Sequence, residues 1–395
     1  MLTIGRLNRA ATSLAAVIAC CVVVLLTADT VSAQTFQSKA PQAVLFDADT
    51  GTVLFSKEAD TRLPPASLAK LMTMEVVFNR LKEGNLALTD KFFVSENAWR
   101  KGGTNSGGST MFAKLNSEIE LESLIRGVIV QSANDGCIVI AEGLAGTEDA
   151  FANLLNERAR TLGLEGSNFA NSTGLPDERQ YVTLNDLAKL GQHIINEYPQ
   201  YYKYYSEPEF EWNGILQRNR NPLLTMDIGA DGMKTGFTEA SGYAIVGSAV
   251  RDGQRLIAVL SGMTSKKQRA EEARKILDWG FRAFERLNLF DQREVVGSVS
   301  VYGGATSSVE VTGEDPIEIY LPVGNRDRLR ARISYQYPLM PPIKKGERVA
   351  TLKVWIGDTL SQETPLYAVD DVDKGDITRR ATDALKELLT SWIPS

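Results

Sequence analysis

Histidine is nearly absent from this chain of 395 residues: His193 is the only one. A single imidazole cannot build a multi-histidine metal site. His193 lies in Leu187-Ala188-Lys189-Leu190-Gly191-Gln192-His193-Ile194-Ile195, a helical pattern, and no nucleophile-elbow sequence accompanies it. It reads as structural, so a hydrolase built from this chain needs another base. Cysteine is almost as scarce. Once an N-terminal leader is set aside, Cys137 alone remains, which excludes an intramolecular disulfide. The stretch Cys137-Ile138-Val139-Ile140-Ala141 is apolar, and a thiol there is expected to be buried and inert. A basic surplus is missing too: 43 Lys and Arg stand against 49 Asp and Glu, a net charge of −6. Nucleic acid is therefore excluded as the main partner, because nothing is left over to neutralise phosphates. No internal repeat or low-complexity tract is visible.

What is present begins with that leader. Arg6 and Arg9 precede an apolar run over 14–26, and Val31-Ser32-Ala33 offers the small residues that a signal peptidase reads. An export signal over 1–33 is expected, with the mature chain starting at Gln34. The run is short for an uncleaved anchor. It also continues past Cys20, where a lipoprotein signal would already have ended.

The rest is too long for one compact core. Apolar runs at 43–47 and 52–55 flank Ala48-Asp49-Thr50-Gly51 and read as two strands around a tight turn. After Pro64-Pro65 a helix is expected from Ser67 to about Gly84, and helical patterns dominate 121–195. Strands over 243–246 and 256–260 then flank Arg251-Asp252-Gly253-Gln254, and a helix is expected from Lys266 to about Leu287. Strands at both ends with helices between them predict an α+β domain over 34–289. Its antiparallel sheet is flanked by helices, with a helical subdomain. Short alternating runs from 295 to 356 predict a small all-β domain over 290–370. In the last segment, 371–395, an acidic linker precedes Ile377, Ala381, Ala384, Leu385, Leu388, Trp392 and Ile393 at helical spacing. This amphipathic helix is too short and too charged to span a bilayer; it either packs on the β-domain or lies in a membrane interface.

Three motifs carry candidate chemistry. Ser67-Leu68-Ala69-Lys70 puts a hydroxyl and an amine three residues apart on one helix face, close enough for proton transfer. Ser132-Ala133-Asn134 presents a hydroxyl and a carboxamide between two apolar helical stretches. Lys234-Thr235-Gly236 offers a cation and a hydroxyl at a strand edge, with a glycine that admits a close backbone approach. Taken singly, each reads as a solvated helix start, a cap or a strand end. Ser95-Glu96-Asn97 repeats the second spacing and shows how little it means alone.

Together, in this order, Ser-x-x-Lys, Ser-x-Asn and Lys-Thr-Gly resemble the set that marks penicillin-recognising serine enzymes. Pro65-Ala66-Ser67-Leu68-Ala69-Lys70-Leu71-Met72-Thr73, Asn134-Asp135-Gly136-Cys137 and Asn171-Ser172-Thr173-Gly174-Leu175-Pro176 narrow the resemblance to the low-molecular-mass D-alanyl-D-alanine carboxypeptidases. That resemblance implies that Ser67 is acylated with Lys70 as base, that Ser132 and Lys234 relay the proton, and that Asn134 holds the substrate amide. It further implies that Thr235 and Arg269 bind the terminal carboxylate, and that the amides of Ser67 and Phe237 form the oxyanion hole. By the same resemblance Lys234, Gly236 and Phe237 join Thr235 and Arg269 as substrate-binding residues, with the Phe237 side chain tuning substrate choice. The implied substrate is the peptidoglycan pentapeptide stem, β-lactams are the covalent inhibitors, and no metal or organic cofactor is needed. The resemblance also favours a membrane surface as the partner of the C-terminal helix, with the enzyme on the periplasmic face. A serine β-lactamase shares the motifs, and Glu165-Gly166-Ser167-Asn168 superficially offers its deacylating carboxylate.

Overall fold

A computed structural model describes residues 36–323 and 328–381. The expected export signal and residues 382–395 of the expected amphipathic helix lie outside them.

The organising element is a five-stranded antiparallel sheet. Its strand order is Val53–Lys57, Gln42–Asp47, Gln254–Met263, Gly242–Arg251 and Ala230–Thr238. The first strands of the domain thus pair with its last, as the pattern of strands around helices predicted. The second hairpin turns at Asp252 and Gly253, both at positive φ (50° and 81°), the backbone that a two-residue turn requires. Ala230–Thr238 is an edge strand, so no strand pairs with one side of Lys234-Thr235-Gly236.

Each face of the sheet is covered by helix. Gly280 of the helix Lys266–Ala283 packs so closely that a Cβ there would come within 2.5 Å of Leu45 and 2.7 Å of Leu256. Gly191 of the helix Leu184–Glu197 faces Met233 and Ile257 instead. Leu256 and Ile257 are adjacent on one strand and point to opposite faces, so the two helices sandwich the sheet. Between the second and third strands in sequence lies the helical subdomain. Its helices Lys70–Lys82, Asn134–Ala145 and Glu148–Thr161 bury Leu71, Met72, Phe78, Ile138, Ile140 and Phe151 at 0% exposure.

The sequence pattern placed the end of the last helix near Leu287. The helix stops at Ala283, and Phe284–Phe290 is a strand paired antiparallel with Ile317–Pro322. Apolar residues at 284, 287 and 290 suit a helical face, but pairing with a partner strand overrides the local period. Beyond it, Val295–Ser300, Ser308–Thr312, Thr359–Ala368, Arg348–Ile356 and Leu329–Ser334 form a second five-stranded antiparallel sheet. Val299, Val311, Ile319, Leu321, Val354 and Leu366 fill its own core.

Candidate active site

Ser67 sits on a 3₁₀ turn, Ala66–Ala69, that runs straight into the helix starting at Lys70. The turn is entered through Pro65 and through Ala66 at φ 48°, a left-handed conformation that is costly for alanine. Two glycines hold it from either side. A Cβ on Gly174 would lie 1.8 Å from the carbonyl oxygen of Ala66, and one on Gly236 would touch Ala66, Leu68 and Pro65 at 3.2–3.4 Å. The close backbone approach expected at Gly236 is therefore an approach to the serine turn itself.

Lys70 is fully buried beneath the serine. Its ammonium donates to Ser67 Oγ at 2.9 Å, to Asn134 Oδ1 at 2.8 Å and to the carbonyl of Thr173 at 2.6 Å. Burial is the main reason its pKa falls to about 8, and the nearby Arg220 guanidinium pushes the same way; Asp135 acts against them. Lys234, also fully buried, is held well below the ordinary lysine value, first by burial and then by Lys70, Arg220 and Arg269. Four cations thus converge here, and three of them, Lys70, Lys234 and Arg269, stand out in the sequence. Arg220 was missed.

Ser132 and Asn134 arrive on a different element. A π-helical turn, Gly127–Gln131, ends with Ser132 in left-handed backbone (φ 65°, ψ 35°), and the helix Asn134–Ala145 begins two residues later. The Ser132 hydroxyl is buried and has no hydrogen-bond partner among the described residues. A buried unpaired hydroxyl costs free energy, which a substrate or proton-relay contact would recover. Next to it, Asp135 is 0% exposed and faces no cation by ion pair. Its carboxylate accepts from the Thr110 hydroxyl (2.6 Å) and from the backbone amides of Met111 (3.0 Å), Ala113 (2.9 Å) and Gly136 (3.0 Å). The Ser109 carbonyl accepts from the Asn134 amide at 2.7 Å. The loop over 109–113 is thereby clipped to the helix start.

On the edge strand, Lys234, Thr235 and Gly236 are buried, whereas Phe237 is 51% exposed. Phe237 packs on Tyr243 (ring centroids 4.3 Å), and the Arg269 guanidinium lies 5.7 Å from the Tyr243 ring. Arg269 Nε is buried without a hydrogen-bond partner, and burial brings the guanidinium down to about 10. No carboxylate neutralises this group by ion pair among the described residues, which suits it to an anionic ligand group.

Other candidates fall away from the site. Ser95 caps its helix by accepting from the Ala98 amide, and Asn97 donates to Glu142, so the look-alike Ser-x-Asn is structural. His193 is 3.3 Å from Glu75, in a cluster with Arg158 and Tyr198. The Cys137 thiol is buried and pushed up to about 11 by that burial. Glu165 is exposed, and Lys70 meets the backbone carbonyl of Thr173 rather than a carboxylate. A cavity of about 1000 Å³, lined by residues including Asp49, Lys189, His193 and Gln362, holds none of the motif residues.

Sheet, helical subdomain and lysine-paired serine together define a serine hydrolase of the penicillin-recognising class. The family model for D-alanyl-D-alanine carboxypeptidase matches residues 27–265, and that for the penicillin-binding protein 5 C-terminal domain matches 284–374. D-alanyl-D-alanine carboxypeptidase DacC of Escherichia coli is 35% identical over 355 residues, which cover 89% of each chain. Penicillin-binding protein 5 of Haemophilus influenzae superposes with a TM-score of 0.72 at 35% identity, over 86% of this chain and 99% of that one. Penicillin-binding protein D2 of Listeria monocytogenes, solved in its ampicillin-bound form, matches 63% of this chain at 26% identity and a TM-score of 0.55. The chain belongs to the D-alanyl-D-alanine carboxypeptidase family. It is a serine-type D-Ala-D-Ala carboxypeptidase with a β-rich C-terminal domain.

Proposed function

We propose that Ser67 is the acylated nucleophile, and that the enzyme removes the terminal D-alanine from peptidoglycan pentapeptide stems. The observation that carries this reading is the 2.9 Å contact between Lys70 Nζ and Ser67 Oγ, made by a lysine whose burial keeps it near neutrality. Neutral Lys70 takes the Ser67 proton as Oγ bonds to the carbonyl carbon of the D-Ala–D-Ala peptide bond. The amides of Ser67 and Phe237 stabilise the oxyanion. Ser132 and Lys234 pass the proton to the leaving nitrogen, the C–N bond breaks, and free D-alanine departs; water then hydrolyses the ester. Asn134 holds the substrate amide, and Thr235 with Arg269 binds the terminal carboxylate, supported by the unpartnered Arg269 Nε. Arg220 adds positive charge near Lys70 and Lys234.

The same reading divides the chain into an export signal (1–33), a catalytic domain (34–289), a β-rich domain (290–370) and a membrane-associating tail (371–395). The enzyme then works on the periplasmic face of the cytoplasmic membrane, attached through the amphipathic tail. No helix among the described residues is long and apolar enough to cross a membrane. β-Lactams, whose strained ring presents an amide carbonyl to the same serine, act as covalent inhibitors.

Intact-mass measurement of the mature chain with benzylpenicillin tests the assignment. A long-lived adduct of one penicilloyl group, lost in Ser67→Ala, is expected. An adduct retained in Ser67→Ala would move the nucleophile elsewhere, and rapid turnover of the drug would make the enzyme a β-lactamase.

A further inference from the structure

One end of the β-rich domain is built unlike the rest of it. Residues 335–343, Tyr335-Gln336-Tyr337-Pro338-Leu339-Met340-Pro341-Pro342-Ile343, carry no charge, and neither does the run 295–309, whose residues 302–305 lie against them. Within this loop Tyr337 is 50% exposed and Met340 58% exposed. The loop is not a loose excursion. The Tyr302 amide donates to the Leu339 carbonyl at 2.9 Å, and Ile343 and Val372 exchange two backbone hydrogen bonds of 2.9 Å.

The same end launches the C-terminal tail. The Gly375 amide donates to the Gly303 carbonyl at 2.9 Å, and the Ala305 amide to the Asp373 carbonyl at 2.8 Å. Residues 302–305 therefore join the apolar loop on one side to the 372–376 segment on the other. A helix starts at Ile377, which is 84% exposed, with Asp376 capping it by accepting from the Arg379 amide at 2.8 Å. In sequence its apolar face continues through Ala381, Ala384, Leu385, Leu388, Trp392 and Ile393.

We propose that the 335–343 loop is a second membrane contact, with Met340 and Tyr337 entering the lipid interface beside the C-terminal helix. The inference rests on the membrane-surface reading of that helix. An interfacial helix buries its apolar face about 5–10 Å into the headgroup boundary. Segments bonded to the residues just before its first turn are then carried to headgroup depth, where a charged loop would be pulled back towards water and this uncharged one is not. Methionine and tyrosine suit that zone, tyrosine because its ring is apolar and its hydroxyl stays wet. Two contacts also fix the tilt of the β-rich domain, which a single helix on a hinge does not.

The test uses the full mature chain and vesicles of zwitterionic and anionic phospholipid. Because Cys137 is buried, a cysteine introduced as Met340→Cys accepts a polarity-sensitive fluorophore selectively. Asp358→Cys serves as the reference, at the far end of the ten-residue strand Thr359–Ala368, on the order of 30 Å away. With vesicles, the label at 340 is expected to shift to the blue and resist an aqueous quencher, while the label at 358 does neither. Met340→Ser with Tyr337→Ser is expected to weaken vesicle partition about tenfold with the tail intact. If the chain cosediments with vesicles but the label at 340 stays as wet as that at 358, the loop contact is wrong and the tail anchor stands. A chain that does not cosediment overturns both. A blue shift that needs protein concentration rather than lipid identifies a second copy as the occupant and overturns the membrane assignment.

Discussion

Lys70 has to be uncharged to accept a proton, yet it sits among three other cations and a single buried anion. Its folded pKa of about 8 lies below the ordinary 10.5, with burial as the leading cause. Below pH 8 the amine carries a proton and cannot serve as base. The second-order rate of acylation by benzylpenicillin is therefore expected to rise about tenfold per pH unit on the acid side and level off above pH 8. Stopped-flow acylation from about pH 5 to 9 checks it, and a flat profile would remove Lys70 from the role. The same shift makes stability rise with pH between about 8 and 10.5, because in that window the unfolded chain binds the proton that the folded chain has lost. Most of this site could be read from Ser67, Lys70, Ser132, Asn134, Lys234 and Thr235, whose spacing is itself the signal. Arg220 could not. It stands in Gln217-Arg218-Asn219-Arg220-Asn221, where neither arginine is marked by spacing and only the folded chain brings one of them towards Lys234. The Thr173 carbonyl that receives the Lys70 proton donor is a backbone atom, to which no side-chain pattern points.

At the scale of elements, the site depends on how the loop over 109–113 is fastened to the start of the helix Asn134–Ala145. Asp135 does this with three hydrogen bonds accepted from the loop, beside a fourth from the Gly136 amide, and with no ion pair among the described residues. Asp135→Asn keeps the shape but turns one acceptor into a donor facing donors. At least one buried amide or hydroxyl then loses its partner, at a cost of about 1–3 kcal/mol. The substitution also removes the anion that holds Lys70 up, so the ascending limb of acylation is expected to move to lower pH. Urea unfolding and the acylation profile of the variant read the two effects separately. An unchanged profile with lowered stability would limit Asp135 to a structural clip. The sequence suggested the helix here but not the clip, because a buried carboxylate next to Ser-x-Asn looks like any polar helix start. The helix ending at Ala283 was misjudged for a related reason: Phe284, Leu287 and Phe290 fit a helical face locally, and only Ile317–Pro322, about thirty residues away, makes them a strand.

At the scale of the whole molecule, the hydrophobic core around Met72 and Phe151 and the core around Val311 and Leu366 share no residue. All motif residues lie between Ser67 and Arg269, so the β-rich domain contributes no side chain of that set. Contact between the two parts includes a buried Thr52–Gln362 hydrogen bond of 3.1 Å. Beside it lies the open cleft of about 1000 Å³. Such a junction transmits little free energy, since one hydrogen bond is worth about 1 kcal/mol net and a cleft open to water buries little apolar surface between the two parts. Calorimetry of the mature chain is therefore expected to resolve two unfolding transitions. Penicilloylation at Ser67 adds contacts to the first core only, so it should raise the midpoint of one transition and leave the other in place. A single transition that moves as a whole on acylation would mean that the two domains unfold as one unit. In that case the cavity and the Thr52–Gln362 contact would understate how tightly the β-rich domain is coupled to the chemistry.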